Sequence, residues 1–158
     1  MQLIVGTSAI NVVVTGTDGT KQTYSIRVTR ESGTTGSISL QMKLNSTTIT
    51  NNGVADKMDA APYLSNNRTM VPIRFVAQYL GVGEKEIKWD QTTKTATIVY
   101  NGKTLTMTVG KTDAAAGLDV APEIKYNRTM VPLRYISEQL GCTVKWDQST
   151  KEITITRE

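Results

Sequence analysis

A chain of 158 residues with 39% hydrophobic residues, 20% charged residues and a formal charge of +4 has the length and balance to bury a core, which excludes a disordered polymer. It has no histidine and one cysteine, which excludes an internal disulfide and the imidazole- or thiolate-rich ligand sets that redox-copper sites need. The basic residues are scattered and form no zinc-finger, RNP or helix-turn-helix signature, so no nucleic-acid partner is implied. Nor does any apolar run approach the ~20 residues that span a bilayer.

From Ile10 to Thr15 and from Thr23 to Thr29 the chain is rich in β-branched residues, and Thr17-Asp18-Gly19-Thr20 between them supplies a turn. The spacing predicts a β-hairpin. Two strands cannot cover their own apolar face, so this hairpin is expected to dock, to self-associate with a second chain, or to belong with strands upstream. Its residues GTSAINVVVTGTDGTKQTYSIRVTRE resemble the closing hairpin of the cadherin-like β-sandwich of bacterial surface proteins, over about residues 5–31. The resemblance implies that residues 1–31 are a domain fragment. No signal peptide opens the chain, which is expected to be a piece of a longer exported protein. Small, polar Ser32 to Ser39 reads as a linker, placed at 32–40.

From Gln41 the pattern changes. Met42, Leu44 and Ile49 mark a hairpin around Asn45-Ser46, and Asn51-Asn52-Gly53 is a turn before Val54. NRTMVPIRF then begins at Asn67 and NRTMVPLRY at Asn127, a spacing of 127 − 67 = 60 residues, so that copies are expected at about 54–111 and 112–158. In each, Val-Pro at Pro72 and Pro132 is a strand-to-helix switch, because a proline pushes the residue before it toward extended geometry and is itself tolerated at a helix start.

Ile73, Val76, Ala77 and Leu80 then fall on one helical face. Leu133, Ile136 and Leu140 repeat three of those positions, Ser137 replaces Ala77, and Gly81 and Gly141 end the two helices. A strand ending in Lys-Trp-Asp-Gln follows each helix, at 88–91 and 145–148, and the tryptophans are 146 − 89 = 57 residues apart because the second loop is shorter. Alternating Ala96, Ile98 and Tyr100, and Ile153 and Ile155, mark return strands. Asn101-Gly102 turns copy one into a further strand at Thr104 to Val109. Eight or nine antiparallel strands and two short helices make a duplicated α+β module over 41–158.

The repeated polar residues are the candidate site. Asp90 and Asp147 open turns, where each side chain is expected to accept local backbone N–H groups rather than act as a hydrolytic pair. Arg68, Arg74, Arg128 and Arg134 also recur. Arg74 and Arg134 stand in a first helical turn, unfavourable for a cation, so a carboxylate or carbonyls should compensate them and make them structural braces. Trp89, Trp146, Tyr63 and Tyr126 are candidates for a glycan-binding face, against the reading that each tryptophan covers its own helix. Cys142 reads as a small buried apolar side chain. No catalytic triad, phosphate loop, metal or cofactor is implied.

The combination of RTMVPIR, a short helix ending in LG and then WDQ, written twice, resembles the copper amine oxidase N-terminal-like domain over residues 41–158. The resemblance implies a non-catalytic extracellular stalk or appended module at the surface of Gram-positive bacteria, expected to space, present or dock neighbouring domains. Its expected partners are neighbouring domains of the same polypeptide, and cell-wall polymer as the alternative.

Overall fold

The computed structural model describes residues 6–15, 17, 19–30 and 37–158, and two compact units divide the chain between Gly36 and Ser37. The first unit is a two-stranded hairpin. Strands β1 (Gly6–Thr15) and β2 (Lys21–Arg30) pair antiparallel from Gly6 opposite Arg30 to Thr15 opposite Lys21, and Gly19 in the turn has φ +82°. Asp18 of the expected turn, and the expected linker as far as Gly36, lie outside the described residues. The end of that linker is strand instead, because Ile38, Leu40 and Met42 alternate into a core.

The second unit opens with β3 (Ile38–Lys43), β4 (Thr48–Asn51) and β5 (Val54–Lys57), a meander whose last turn, Asn52-Gly53, has both residues at positive φ. Such two-residue turns match the twist of paired strands. Copy one follows as β6 (Tyr63–Ser65), β7 (Arg68–Pro72), α1 (Ile73–Tyr79), a single 3-10 turn at Glu84–Glu86, β8 (Ile87–Asp90), β9 (Thr95–Tyr100) and β10 (Lys103–Thr108). Copy two is β11 (Glu123–Lys125), β12 (Arg128–Pro132), α2 (Leu133–Gln139), β13 (Thr143–Asp147) and β14 (Glu152–Arg157). The antiparallel α+β duplication expected from the sequence is present. The three residues that copy two lacks are those of the 3-10 turn.

Twelve strands, more than the eight or nine expected, stand among the described residues of this unit. The surplus includes β6 and β11, three residues each, too short to show alternation in the sequence. Three sheets result, in the orders β10-β9-β8, β13-β14-β3-β4-β5 and β11-β12-β7-β6. In the first two, β9 and β14 are central to equivalent triplets. Copy one draws its third strand from inside itself, Leu105 of β10 lying opposite Ile98, whereas copy two takes β3 from the upstream side, with Leu40 opposite Ile155.

Pro72 and Pro132 serve as the last strand residue and the N-cap at once, one position earlier than a first helical residue. Both helices close alike. The N–H of Val82 reaches the carbonyl of Ala77 and Gly81 that of Gln78; Cys142 and Gly141 repeat these bonds to Ser137 and Glu138. This double closure needs a left-handed residue, hence Gly81 at φ +90° and Gly141 at +77°. Val82 and Cys142, next in line, are buried in one cluster that also holds Val71, Val76, Ile98, Val131, Ile136 and Ile155, so both copies share a core. Met70 and Met130 point the other way into a smaller cluster with Tyr63. Among the described residues no helix is long and apolar enough to cross a membrane.

Candidate functional site

The two copies meet where their sequences are most alike. In the β7–β12 pair Val71 lies opposite Val131, with Met70 opposite Pro132 and Pro72 opposite Met130, so equivalent residues face one another about a local dyad. The hairpins that deliver these strands turn through Asn66-Asn67 and Tyr126-Asn127, all four at positive φ, which explains the recurring asparagine on conformational grounds.

The next residue in each copy crosses to the other. Arg68 forms an ion pair with Asp119, its Nε donating to Oδ1 at 3.2 Å, and Arg128 forms one with Asp59. The guanidinium of Arg68 holds the Asp119 carboxyl below the usual carboxylate range. Each arginine also donates from Nη1 to the carbonyl of the asparagine before it, at 3.3 and 3.0 Å. Asp59 and Asp119 escaped the sequence reading, although the repeated Asp-x-Ala-Pro that carries them was a usable signal.

The reciprocal crossing leaves two equivalent grooves. The first, about 570 Å³, has Trp89, Gln91, Phe75 and Arg74 from copy one on one side, and Ile124, Asn127, Arg128 and Thr129 from copy two on the other. The second, about 330 Å³, exchanges the roles: Trp146, Gln148 and Arg134 from copy two face Leu64, Asn67, Arg68 and Thr69 from copy one. Both volumes fall in the range of small-ligand pockets.

Each indole N–H donates to the glutamine two residues on, Trp89 to Gln91 and Trp146 to Gln148, both at 2.8 Å, so the rings are held at fixed angles. Trp89 is half-buried against the core and Trp146 is 36% exposed; both serve as groove walls. Leu64 and Ile124, at equivalent positions, are large apolar side chains exposed at the opposite walls. Gln91, Gln148, Asn127 and Thr129 were not among the expected site residues.

The four aromatic residues expected on one face are divided. Trp89 and Trp146 line separate grooves, and Tyr63 and Tyr126 line neither. Tyr63 is buried, donates to Glu123 Oε1 at 2.6 Å, and meets Tyr126 edge-on with ring centroids 6.2 Å apart. Lys125 Nζ stands 3.8 Å from the Tyr63 centroid, so this pair is already occupied by its own cation.

Asp90 Oδ1 accepts the backbone N–H groups of Thr93 and Thr92 at 3.0 and 2.8 Å. Asp147 Oδ1 accepts the Ser149 hydroxyl at 2.6 Å and the N–H groups of Ser149 and Thr150. These bonds hold both carboxyls below their ordinary range and tie them to local turns.

Bracing falls on Arg68 and Arg128. Arg74 and Arg134 are exposed at the flank of each helix's apolar stripe, and neither has a hydrogen bond or ion pair among the described residues. Cys142 is buried, which pushes its thiol up. Among the described residues no three His, Cys, Asp or Glu side chains come together as metal ligands, and with no imidazole in the chain the residues do not fit a copper centre.

The fold and its grooves define a duplicated α+β module whose repeated residues brace turns and interfaces. The family model described as copper amine oxidase N-terminal domain matches it twice, at residues 15–85 and 81–155, and the chain belongs to that family. In amine oxidases this domain is a non-catalytic accessory domain. The first match begins at residue 15, so it takes in β2, whereas the sequence resemblance starts at residue 41. Comparison with curated proteins and with solved structures gives no match.

Proposed function

We propose that the chain is a non-catalytic module of a bacterial surface protein, one that presents or docks neighbouring domains of the same polypeptide outside the cell. The carrying observation is the locked duplication: a shared core and two reciprocal Arg–Asp pairs make one body of two copies, in which the recurring Arg68, Arg128, Asp90 and Asp147 are engaged in structure. Ile38 and Arg157 are strand partners, so the two ends of the second unit lie side by side. That geometry favours presenting or docking over spacing in series. Removing residues 37–158 from the polypeptide that carries them is expected to leave the flanking domains active in solution while lowering their antibody accessibility on intact cells. Unchanged accessibility, or turnover by the purified chain, would overturn the reading.

The hairpin before the module closes a cadherin-like sandwich in this reading and is where copies self-associate. Sedimentation of the purified chain tests this, since a strict monomer at high concentration contradicts it. A second reading, cell-wall or glycan binding, is favoured by one observation: each tryptophan forms the wall of a groove, Trp89 while also packing against the core. Cosedimentation with Gram-positive cell walls that survives a salt series, and fails in folded Trp89→Ala and Trp146→Ala, would support it. Binding erased by modest salt would count against it.

A further inference from the structure

The two grooves share a composition that narrows what they can hold. Among the described residues, the second is lined by three cations, Arg68, Arg134 and Lys151, and by no acid. The first is lined by Arg74, Lys88 and Arg128 against Asp59 alone. Arg68 and Arg128 are neutralised by Asp119 and Asp59, which leaves two cations without an ion-pair partner among the described residues in each groove, Arg74 with Lys88 and Arg134 with Lys151; of these, Arg74 and Arg134 carry the planar fork of a guanidinium.

Each of these arginines stands in the same cavity as an indole whose only polar atom is already satisfied by glutamine, so what the ring offers is its π-face, which at Trp146 also has Lys151 Nζ 5.9 Å from the ring centroid. A flat aromatic face receives the apolar C–H face of a pyranose ring, and a guanidinium fork receives a carboxylate through two parallel bonds. The side-chain amides and hydroxyls of Asn67, Thr69 and Gln148, or Asn127, Thr129 and Gln91, supply partners for sugar hydroxyls.

We propose that each groove binds one hexuronic acid residue of a carboxylated polysaccharide, its ring against Trp89 or Trp146 and its carboxylate on Arg74 or Arg134. The inference rests on the glycan-binding reading above and adds the charge and the number of sites. Because each groove takes its tryptophan from one copy and its Asn-Arg-Thr from the other, both sites exist only in the duplicated molecule. A phosphate-bearing polyol would satisfy the arginine and leave the indole without a ring, and an acidic peptide would leave the hydroxyl partners unused. The combination of all three favours the acidic sugar.

Calorimetric titration of the whole chain with trigalacturonate is the test, beside cellotriose, a glycerol phosphate oligomer and a glutamate peptide. Two equivalents of trigalacturonate are expected to bind, on the order of tenfold tighter than cellotriose, the value of one charge-assisted contact. Arg134→Gln is expected to weaken one equivalent about tenfold and Arg74→Gln the other, with the melting temperature unchanged because neither arginine makes an ion pair in the protein. Equal binding of cellotriose, lost in Trp89→Ala, would leave the glycan reading standing and overturn the acidic preference. Equal binding of the phosphate oligomer or the peptide would overturn the sugar, and binding of none of the four would overturn both readings.

Discussion

Ser137 shows what duplication does to a single position. Its hydroxyl is fully buried without a hydrogen-bond partner, at the place where copy one carries Ala77. An unsatisfied buried hydroxyl is destabilising, so Ser137→Ala is expected to raise stability by about 1 kcal/mol, read as a higher urea midpoint at unchanged slope. A lower midpoint would mean that the hydroxyl has a partner in solution. Charge at the residue scale gives a second expectation. Asp90, Asp119 and Asp147, and Asp56 through the Tyr79 hydroxyl, have carboxyls held below their ordinary value. A depressed folded pKa contributes stability above the unfolded value, so these contributions are present at neutral pH and fade as pH falls below about 4. The tyrosines run the other way. Tyr79, pushed up to about 12 by its bond to Asp56, and Tyr63, raised by burial and then by Glu123, contribute below about pH 10 and lose that contribution as pH rises further. With no histidine, the melting temperature is expected to be level between about pH 5 and 9; a step near pH 6 to 7 would contradict this assignment.

At the level of elements, β3 does for copy two what β10 does for copy one. Leu40 and Met42 of β3 match Leu105 and Met107 of β10 at a spacing of 105 − 40 = 65 residues, out of phase with the sixty of the main repeat. Leu40→Ala and Leu105→Ala are therefore expected to cost similar amounts, about 2–5 kcal/mol each in chemical denaturation. A much smaller loss at Leu40 would make β3 peripheral. The same strand marks the limit of what the sequence discloses. Helices, their glycine stops and the tight turns were legible because a few adjacent residues specify them: Val-Pro, the stripe from Ile73 to Leu80, Asn-Gly. The assignment of β3 to the second sheet was not, since a Leu-x-Met alternation names a face and no partner. The candidate site divided in the same way. Trp89 and Trp146 were visible as repeats, but their separation into two grooves depends on Arg68 reaching Asp119 and Arg128 reaching Asp59. Contacts between residues so far apart in the chain leave no local pattern.

At the scale of the whole molecule the decisive feature is the strand pair that joins the two ends of the second unit. Ile38 opens β3 and Arg157 closes β14, side by side in register. Tension applied between these two residues would pull them directly apart, so the hydrogen bonds of the pair would break one after another from the end, as in a zipper, instead of sharing the load. Because Leu40 and Ile155 belong to the common core, the first opening would also uncover it. In an optical trap, handles at Ser37 and Glu158 are expected to open the fold at a lower force than handles at Ser37 and Lys151, which load the same two strands in shear. Equal forces would place the mechanical weak point elsewhere. Under tension between those two residues, this unit would act as a fuse that yields early, opening from its paired ends inward.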